Sequence, residues 1–327
     1  MCIRDRPLTG ESRKLYNYFT TFGVMLPFSR SHEAEADYLG LVFMHFAGYD
    51  LDESYKMWER MDKLNSGNRT PEFLSTHPSS KTRIENIKSY LLKYKPDIVM
   101  MQEIKTEDVN FPYDDFSSMD YESHVFGQKS YNGVAIISKG KLKNIRKDLI
   151  KDKLKQSRII SAEMEYKKKN IQLINIYTPN GNPVDTEKYD YKKKWLNDLI
   201  KQLKNLSKKN QNIILAGDFN IIPSAEDVYN PKSFEDDALF RLEIRKKLRE
   251  MINLGFNDVY RHFNETKEGY TFWDYMRGAW QKNNGMRIDH FLVSNSLIDQ
   301  VKSININKDP RGREKPSDHT PIEITLA

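Results

Sequence analysis

STHPSSKTRIENIKSYLLKYKPDIVMMQEIKT, residues 75–106, holds the change of pattern that decides the fold. In RIENIKSYLLKY (83–94) the apolar Ile84, Ile87, Tyr90 and Leu91 recur at helical spacing and share one face. Pro96 closes that pattern, because proline has no N–H to give a helix. DIVMMQE (97–103) then runs four apolar residues into Gln102 and Glu103. That is the mark of a buried strand that delivers polar groups at its end.

To the right the same style repeats. NGVAIISK (132–139), RIISAEMEY (158–166), NIQLINIY (170–177), NIILAGDFN (212–220) and RIDHFLVS (287–294) read as strands, with helical patterns at 187–206 and 239–253. Strands and helices in this order predict an α/β fold: a four-layer sandwich of two packed mixed sheets with helices outside. To the left, residues 31–64 are helical in pattern, with Asp52 placed to cap a second helix. A helical fragment is therefore expected ahead of the sandwich. MCIRDR at the start reads as translated library adapter and is set aside from fold reasoning.

Charge divides the chain in the same way. The 327 residues carry a net charge of +6. Residues 1–80 are net −2 and residues 81–327 net +8, so the basic part coincides with the strand-rich part and suits a polyanionic partner. A solvated, Lys-rich surface accounts for the charge equally well. No run approaches the ~18 apolar residues of a membrane helix. Cys2 is the sole cysteine, which excludes an internal disulfide and points to a reducing, cytoplasmic setting.

Two constellations carry chemistry. RSHEAEADYLG (30–40) sets Glu33 and Asp37 one helical turn apart, and THPSSKTR (76–83) follows. A helical Glu is a possible zinc ligand and an Asp one turn on can orient it. This part resembles the M48 family of zinc metallopeptidases, which implies Glu33 as a zinc ligand, Asp37 as its helper, and His77 and Arg83 as substrate-side groups. That family also needs His-Glu-x-x-His, and none of the seven histidines lies in such a motif. Glu33 and Asp37 are therefore expected to be a vestigial zinc site without peptidase activity.

The second constellation is an ordered set: Gln102-Glu103, IYTPNG (176–181), GDFN (217–220), GMRIDHFL (285–292) and KPSDHTP (315–321). Most of these place a polar or acidic group at the end of an apolar run, so a sandwich would gather them at one rim. The chemistry they suit is phosphodiester hydrolysis. Glu103 can hold a hard cation. Asp218 and Asn220, two apart, are expected to face the same side. His319 can stabilise phosphoryl charge, with Asp289 to hold the ring and raise its pKa.

In order and type these motifs resemble the exonuclease–endonuclease–phosphatase superfamily, and within it exodeoxyribonuclease III, from about Arg83 to the C-terminus. FWDYMRGAWQKNNGMRIDHFLVS (272–294) carries the nearest agreement. The resemblance implies a Mg²⁺ enzyme, with Mn²⁺ a possible substitute, that hydrolyses duplex DNA 5′ to abasic sites and trims 3′ ends as a monomer. It implies Glu103 and Asp318 at the metal, and Tyr177, Asp218, Asn220, Asp289 and His319 as catalytic groups. Phe272, Trp273 and Trp280 would form a pocket for base-free deoxyribose, with core packing as the other reading. Gln128, Tyr131 and Asn132 would touch the DNA, although a hairpin turn explains Asn132-Gly133 as well.

The family begins with a strand bearing an Asn-x-Asn-like motif, whose Asn helps hold the metal. No such strand precedes Arg83. The expected division is residues 1–6 from the adapter, 7–82 a peptidase-like fragment, and 83–327 the nuclease domain without its first strand. A non-catalytic DNA-binding remnant is the alternative function, and a zinc peptidase a third.

Overall fold

In a computed structural model the structure describes residues 80–209, 212–266, 268–313 and 316–327. All lie in the second of the two units into which the chain divides, Met1–Ser75 and Thr76–Ala327. The expectations for residues 31–64, for Glu33 and Asp37, and for the side chain of Arg83 fall outside the described residues.

The quoted stretch folds as its pattern predicts. Helix α1 (Ser80–Tyr94) ends just before Pro96, and strand β1 (Ile98–Gln102) follows. Leu91 and Ile87 of α1 pack with Met101, Phe111, Phe116, Val125 and Ile137 on the outer side of a three-stranded sheet. Its order is β1-β3-β2, all antiparallel, with β2 Glu122–Phe126 and β3 Val134–Ser138.

The second sheet has six strands in the order β4-β5-β6-β7-β9-β8. They are β4 (Lys143–Arg146), β5 (Ile159–Tyr166), β6 (Lys169–Tyr177), β7 (Asn212–Asp218), β8 (Phe256–Asp258) and β9 (Asp289–Ser294). The β6–β7 pair is parallel because helix α3 (Glu187–Ser207) makes the crossover; a short helix α2 (Tyr113–Ser117) belongs to the other side. Trp195, Leu196, Leu199 and Leu203 of α3, and Ile244, Leu248 and Met251 of α4 (Leu242–Asn253), cover the outer face. The short helix α5 (Val259–Phe263) follows β8.

Period-two alternation divides each central strand between two cores. In β6, Ile174 and Ile176 point out to the helices, while Ile171 and Leu173 point in toward the other sheet. In β3, Val134 and Ile136 face in, and Ala135 and Ile137 face out. Helix, sheet, sheet, helix is the expected mixed α/β sandwich.

The layer facing the six-stranded sheet is in two pieces. Strands β10 (Val301–Ile306) and β11 (Ile322–Leu326) form a separate antiparallel pair. β1 packs over β6 and β7, the middle of the six-stranded sheet, and β11 packs over β9, one strand from its edge. Yet β1 pairs only with β3 and β11 only with β10, and among the described residues no strand occupies their other edges. Ile98, Met100, Ile324 and Leu326 are accordingly only partly buried despite being apolar. α1 braces the second piece: the Tyr90 hydroxyl donates to Glu323, and Lys93 and Tyr94 both donate to Asp309.

Candidate active site

The inward phase of β6 that buries Ile171 and Leu173 also turns Asn175 and Tyr177 inward. Tyr177 is the parallel partner of Asp218 at the end of β7, and Asp218 is the antiparallel partner of Asp289 at the start of β9. Three expected site residues thus form one row across neighbouring strands. Ligand atoms of Asp218, Asp289 and His319 lie within 4.8 Å of one another.

The His–Asp pair is as the motifs suggest. Nδ1 of His319 lies 2.9 Å from Asp289 Oδ2. Burial opposes the imidazolium, but Asp289 foremost, then Asp218 and Asp318, outweigh it and raise the His319 pKa well above its ordinary value. Thr271, fully buried, holds the carboxylate: its hydroxyl donates to Asp289 Oδ2 at 2.6 Å and accepts from the Asp289 N–H at 3.1 Å.

Asp218 is 4% exposed. Burial and the facing Asp289 push its pKa up to about 8, against the pull of His319. Asn220 serves it twice: its backbone N–H donates to Oδ1 at 2.7 Å and its side-chain Nδ2 to Oδ2 at 2.9 Å. The two side chains do meet, but not through strand alternation. β7 ends at Asp218, and Asn220 lies beyond it with φ +48°, so the pair is made by a turn closed on the carboxylate. The glycine of GDFN is needed at this point. Gly217 has φ +133°, and a Cβ there would lie 2.1 Å from the Ile176 carbonyl oxygen.

Glu103 enters from the other sheet, directly after β1, and the Tyr177 hydroxyl donates to its Oε1. Lys105 Nζ is 2.9 Å from Oε2. Burial opposes ionisation, but Lys105, Tyr177 and His319 together hold the carboxyl down at about 2. It is thus a firm anion with carboxylate oxygens of the kind a hard cation takes, and a cation bound there would compete with the Lys105 ammonium. Asp318, half-buried, neighbours His319 but is not in the tight cluster. The two sheets are locked beside the site by Asn175, whose buried Nδ2 donates to the Met101 and Ala135 carbonyls while its Oδ1 accepts from Gln102.

The expected substrate residues divide. Phe272 is half-buried and packs edge-on against His319 at 5.0 Å. Trp273 is 0% exposed; it bonds Asn283 and packs against Trp280, so its place is beneath the site rather than in its wall. Trp280 is half-buried against Arg311. Gln128 and Asn132 are taken up within the β2–β3 connection: Gln128 accepts from Asn132 and from the Ser157 N–H. The hairpin reading therefore accounts for them, while Tyr131 is exposed. That loop pairs with Ile104 and Lys105, which sets it next to Glu103.

Sequence reasoning missed Thr271, Asn175, Lys105 and Arg287. Arg287, inside the GMRIDHFL motif, is buried in ion pairs with Asp227 and Asp258 two residues from Asp289. No motif signal marked the other three.

Comparison with known proteins agrees with the geometry. Residues 64–319 match the endonuclease/exonuclease/phosphatase family, and residues 12–91 match peptidase family M48. The chain is 34% identical to exodeoxyribonuclease III of Haemophilus influenzae, over 74% of this chain and 94% of that protein. It is 33% identical to a DNA-(apurinic or apyrimidinic site) endonuclease of Dictyostelium discoideum, over 72% of this chain and 64% of that one. Among solved structures, an AP endonuclease from Archaeoglobus fulgidus superposes with a TM-score of 0.71 at 32% identity, covering 76% of this chain and 95% of that one. A 3′ phosphatase from Neisseria bound to a product DNA hairpin gives the same TM-score at 29% identity, covering 76% and 96%. With its motifs in one row and a family match over most of its length, the chain belongs to the endonuclease/exonuclease/phosphatase family, alongside its exodeoxyribonuclease III and AP endonuclease members.

Proposed function

We propose that the chain is a Mg²⁺-dependent DNA-repair nuclease that cuts duplex DNA 5′ to abasic sites and trims 3′ ends. The single observation that carries this reading is the row Tyr177–Asp218–Asp289, with His319 on Asp289 and the ionised Glu103 on Tyr177. Glu103, with Asp318 near the same rim, would hold the metal, which when bound supplies charge neutralisation at the phosphoryl oxygens. Asp218, whose pKa lies near 8, takes a proton from the attacking water. Asn220 fixes that carboxylate. His319, kept protonated by Asp289, stabilises charge on the phosphate. Phe272 borders the sugar side, and Tyr131 offers the DNA contact on the β2–β3 loop.

On the same reading residues 83–327 are the nuclease domain, 7–82 a peptidase-like fragment and 1–6 adapter-derived. A second reading, a DNA-binding remnant without catalysis, is favoured by the edges of β1 and β11 that have no strand partner among the described residues; these strands lead into Glu103 and out of His319. Incision of a duplex oligonucleotide with one abasic-site analogue, in Mg²⁺ and in EDTA, separates the two. Metal-dependent cutting lost in Asp218→Ala supports the nuclease. Binding without cutting by a folded chain supports the remnant.

A further inference from the structure

Helix α3 begins EKYDYKKKW, a run in which one lysine resembles another. Lys192 is unlike its neighbours because it is fully buried. Lysine is almost never buried unless its donors are satisfied. Nζ donates to three backbone carbonyls: Asn220 at 2.6 Å, Asn180 at 2.9 Å and Ala238 at 3.0 Å. An ammonium has three N–H bonds, so the set is complete, and none of the three goes to a carboxylate.

The three carbonyls come from three separate segments: the loop after β6, the turn after β7, and the segment before α4. The path to them is cleared by the glycine of IYTPNG. Gly181 has φ +87°, and a Cβ there would lie 2.6 Å from Lys192 Cδ. Asn220 is the one of the three that also touches the reaction centre. Its φ of +48° is left-handed, a conformation asparagine tolerates, and both its N–H and its side chain are committed to Asp218.

We propose that Lys192 is a positioning residue for the reaction centre: its bond to the Asn220 carbonyl fixes the Asn220 peptide so that both the backbone N–H and Nδ2 reach Asp218. The proposal rests on the reading of Asp218 and Asn220 given above. The chain of contacts is continuous, from Lys192 Nζ to Asn220 O, and from Asn220 N and Nδ2 to the two oxygens of Asp218. Burial draws the Lys192 pKa down to about 7, while Asp237 and Asp218, the charged groups it feels, hold it up. A neutral amine would keep two N–H donors, so the bond to the Asn220 carbonyl, the shortest of the three, can persist in either protonation state.

The test compares Lys192→Met with the intact chain. Expected is a loss in kcat of about tenfold or more, the effect of small misplacement at a reacting centre, with KM for the abasic duplex little changed. Lys192→Cys in a Cys2→Ser background, alkylated with 2-bromoethylamine to restore an ammonium at the same reach, should regain most of the rate. Amide NMR gives a readout independent of activity: protection of the Asn220 N–H is expected to fall in Lys192→Met while β7 stays protected. If the unsubstituted chain does not cut DNA, the functional reading fails, and the Asn220 protection still decides the positioning role. Lys192→Gln, which keeps an amide donor, is read the same way if Lys192→Met does not fold. Unchanged kcat per folded molecule, unchanged Asn220 protection, or failure of both variants to fold would overturn the proposal in favour of a purely structural lysine.

Discussion

Asp218 and Asp289 stand directly opposite one another across the antiparallel β7–β9 pair, both turned toward the interior. Like charges opposed across a sheet destabilise it. Here the conflict is resolved by holding Asp289 on His319 and Thr271 and by raising the pKa of Asp218. Asp218 is the one whose pKa the site raises, while Asp289 is taken up by His319 and Thr271, which assigns the two carboxyls different tasks.

Asp218→Asn should abolish incision and stabilise the fold. The folded pKa of Asp218 is about 8 against an ordinary 3.8, so its contribution to stability is complete below pH 3.8 and is lost as pH rises through 8. An asparagine does not suffer that loss. The stability gap between variant and parent should therefore widen from pH 4 to pH 8 and then level off. At pH 8 the variant is expected to melt at least roughly 2–4 °C higher, the value of about 1 kcal/mol in a domain of this size. Thermal unfolding across that range checks it; a variant less stable at every pH would contradict the electrostatic account.

The activity should have a correspondingly alkaline profile. As a base, Asp218 works only when ionised, so kcat/KM is expected to climb to a plateau above about pH 8. His319, raised by Asp289, Asp218 and Asp318 despite burial, must stay protonated, which delays the falling limb to pH values well above the ordinary histidine range. Replacing Asp289 by Asn should bring that falling limb down in pH. Profiles measured at saturating Mg²⁺ for parent and variant would show the shift, or its absence.

Thr271→Val keeps the shape of the side chain and removes the hydroxyl that both donates to Asp289 and accepts from its N–H. A buried carboxylate that loses a bond of this kind costs about 1–3 kcal/mol. We expect slower incision, by about one to two orders of magnitude, with DNA affinity retained. Single-turnover rates beside gel-shift binding separate the two effects.

How much of this was legible in the residues follows from where each group sits. Asp218 ends β7 and Asp289 begins β9, where an apolar run makes the strand visible and period two sets the side on which the terminal residue emerges, and Glu103 follows β1 directly, at φ +52°. The edge strands β2, β4, β10 and β11 escaped notice because one side of each meets solvent, and ESHVF or KNIR looks like loop. Thr271 and Lys192 act through contacts far away in sequence, with Asp289 and Asn220; the spacing from Tyr189 to Trp195 and Leu196 sets Lys192 on the buried face of α3, but nothing local shows what its ammonium meets there. Trp273 has two readings in the sequence because an aromatic beside a site looks the same whether it faces a ligand or fills the core below, and its full burial fits the second.

Glu103→Gln should leave the fold intact and weaken metal use. The wild-type carboxylate is ionised down to about pH 2 and is balanced by Lys105. An amide offers no charge to a divalent cation. The Mg²⁺ concentration for half-maximal rate is expected to rise about 10–100-fold, the usual cost of losing a group at a metal site. Binding of Mn²⁺ followed by its magnetic resonance signal should weaken in parallel; an unchanged Mn²⁺ affinity would place the metal elsewhere.

The last prediction concerns the divided layer. Among the described residues β1 and β11 each carry strand hydrogen bonds on one side only, although β1 lies over β6 and β7 and β11 over β9 of the six-stranded sheet. Alternate backbone N–H groups along a strand point to opposite sides, so about every second amide of β1 and β11 lacks a sheet partner. β7, bonded on both sides by β6 and β9, has none in that state. In hydrogen exchange, the outward amides of Ile98–Gln102 and Ile322–Leu326 should exchange by local opening, at least about a hundredfold faster than those of β7, which open only with the whole domain. Because Glu103 follows β1 directly and His319 precedes β11 by three residues, looseness at these edges reaches both sides of the reaction centre. Protection in β1 and β11 equal to that in β7 would show that these edges are covered in solution, and would remove the structural ground for the non-catalytic remnant.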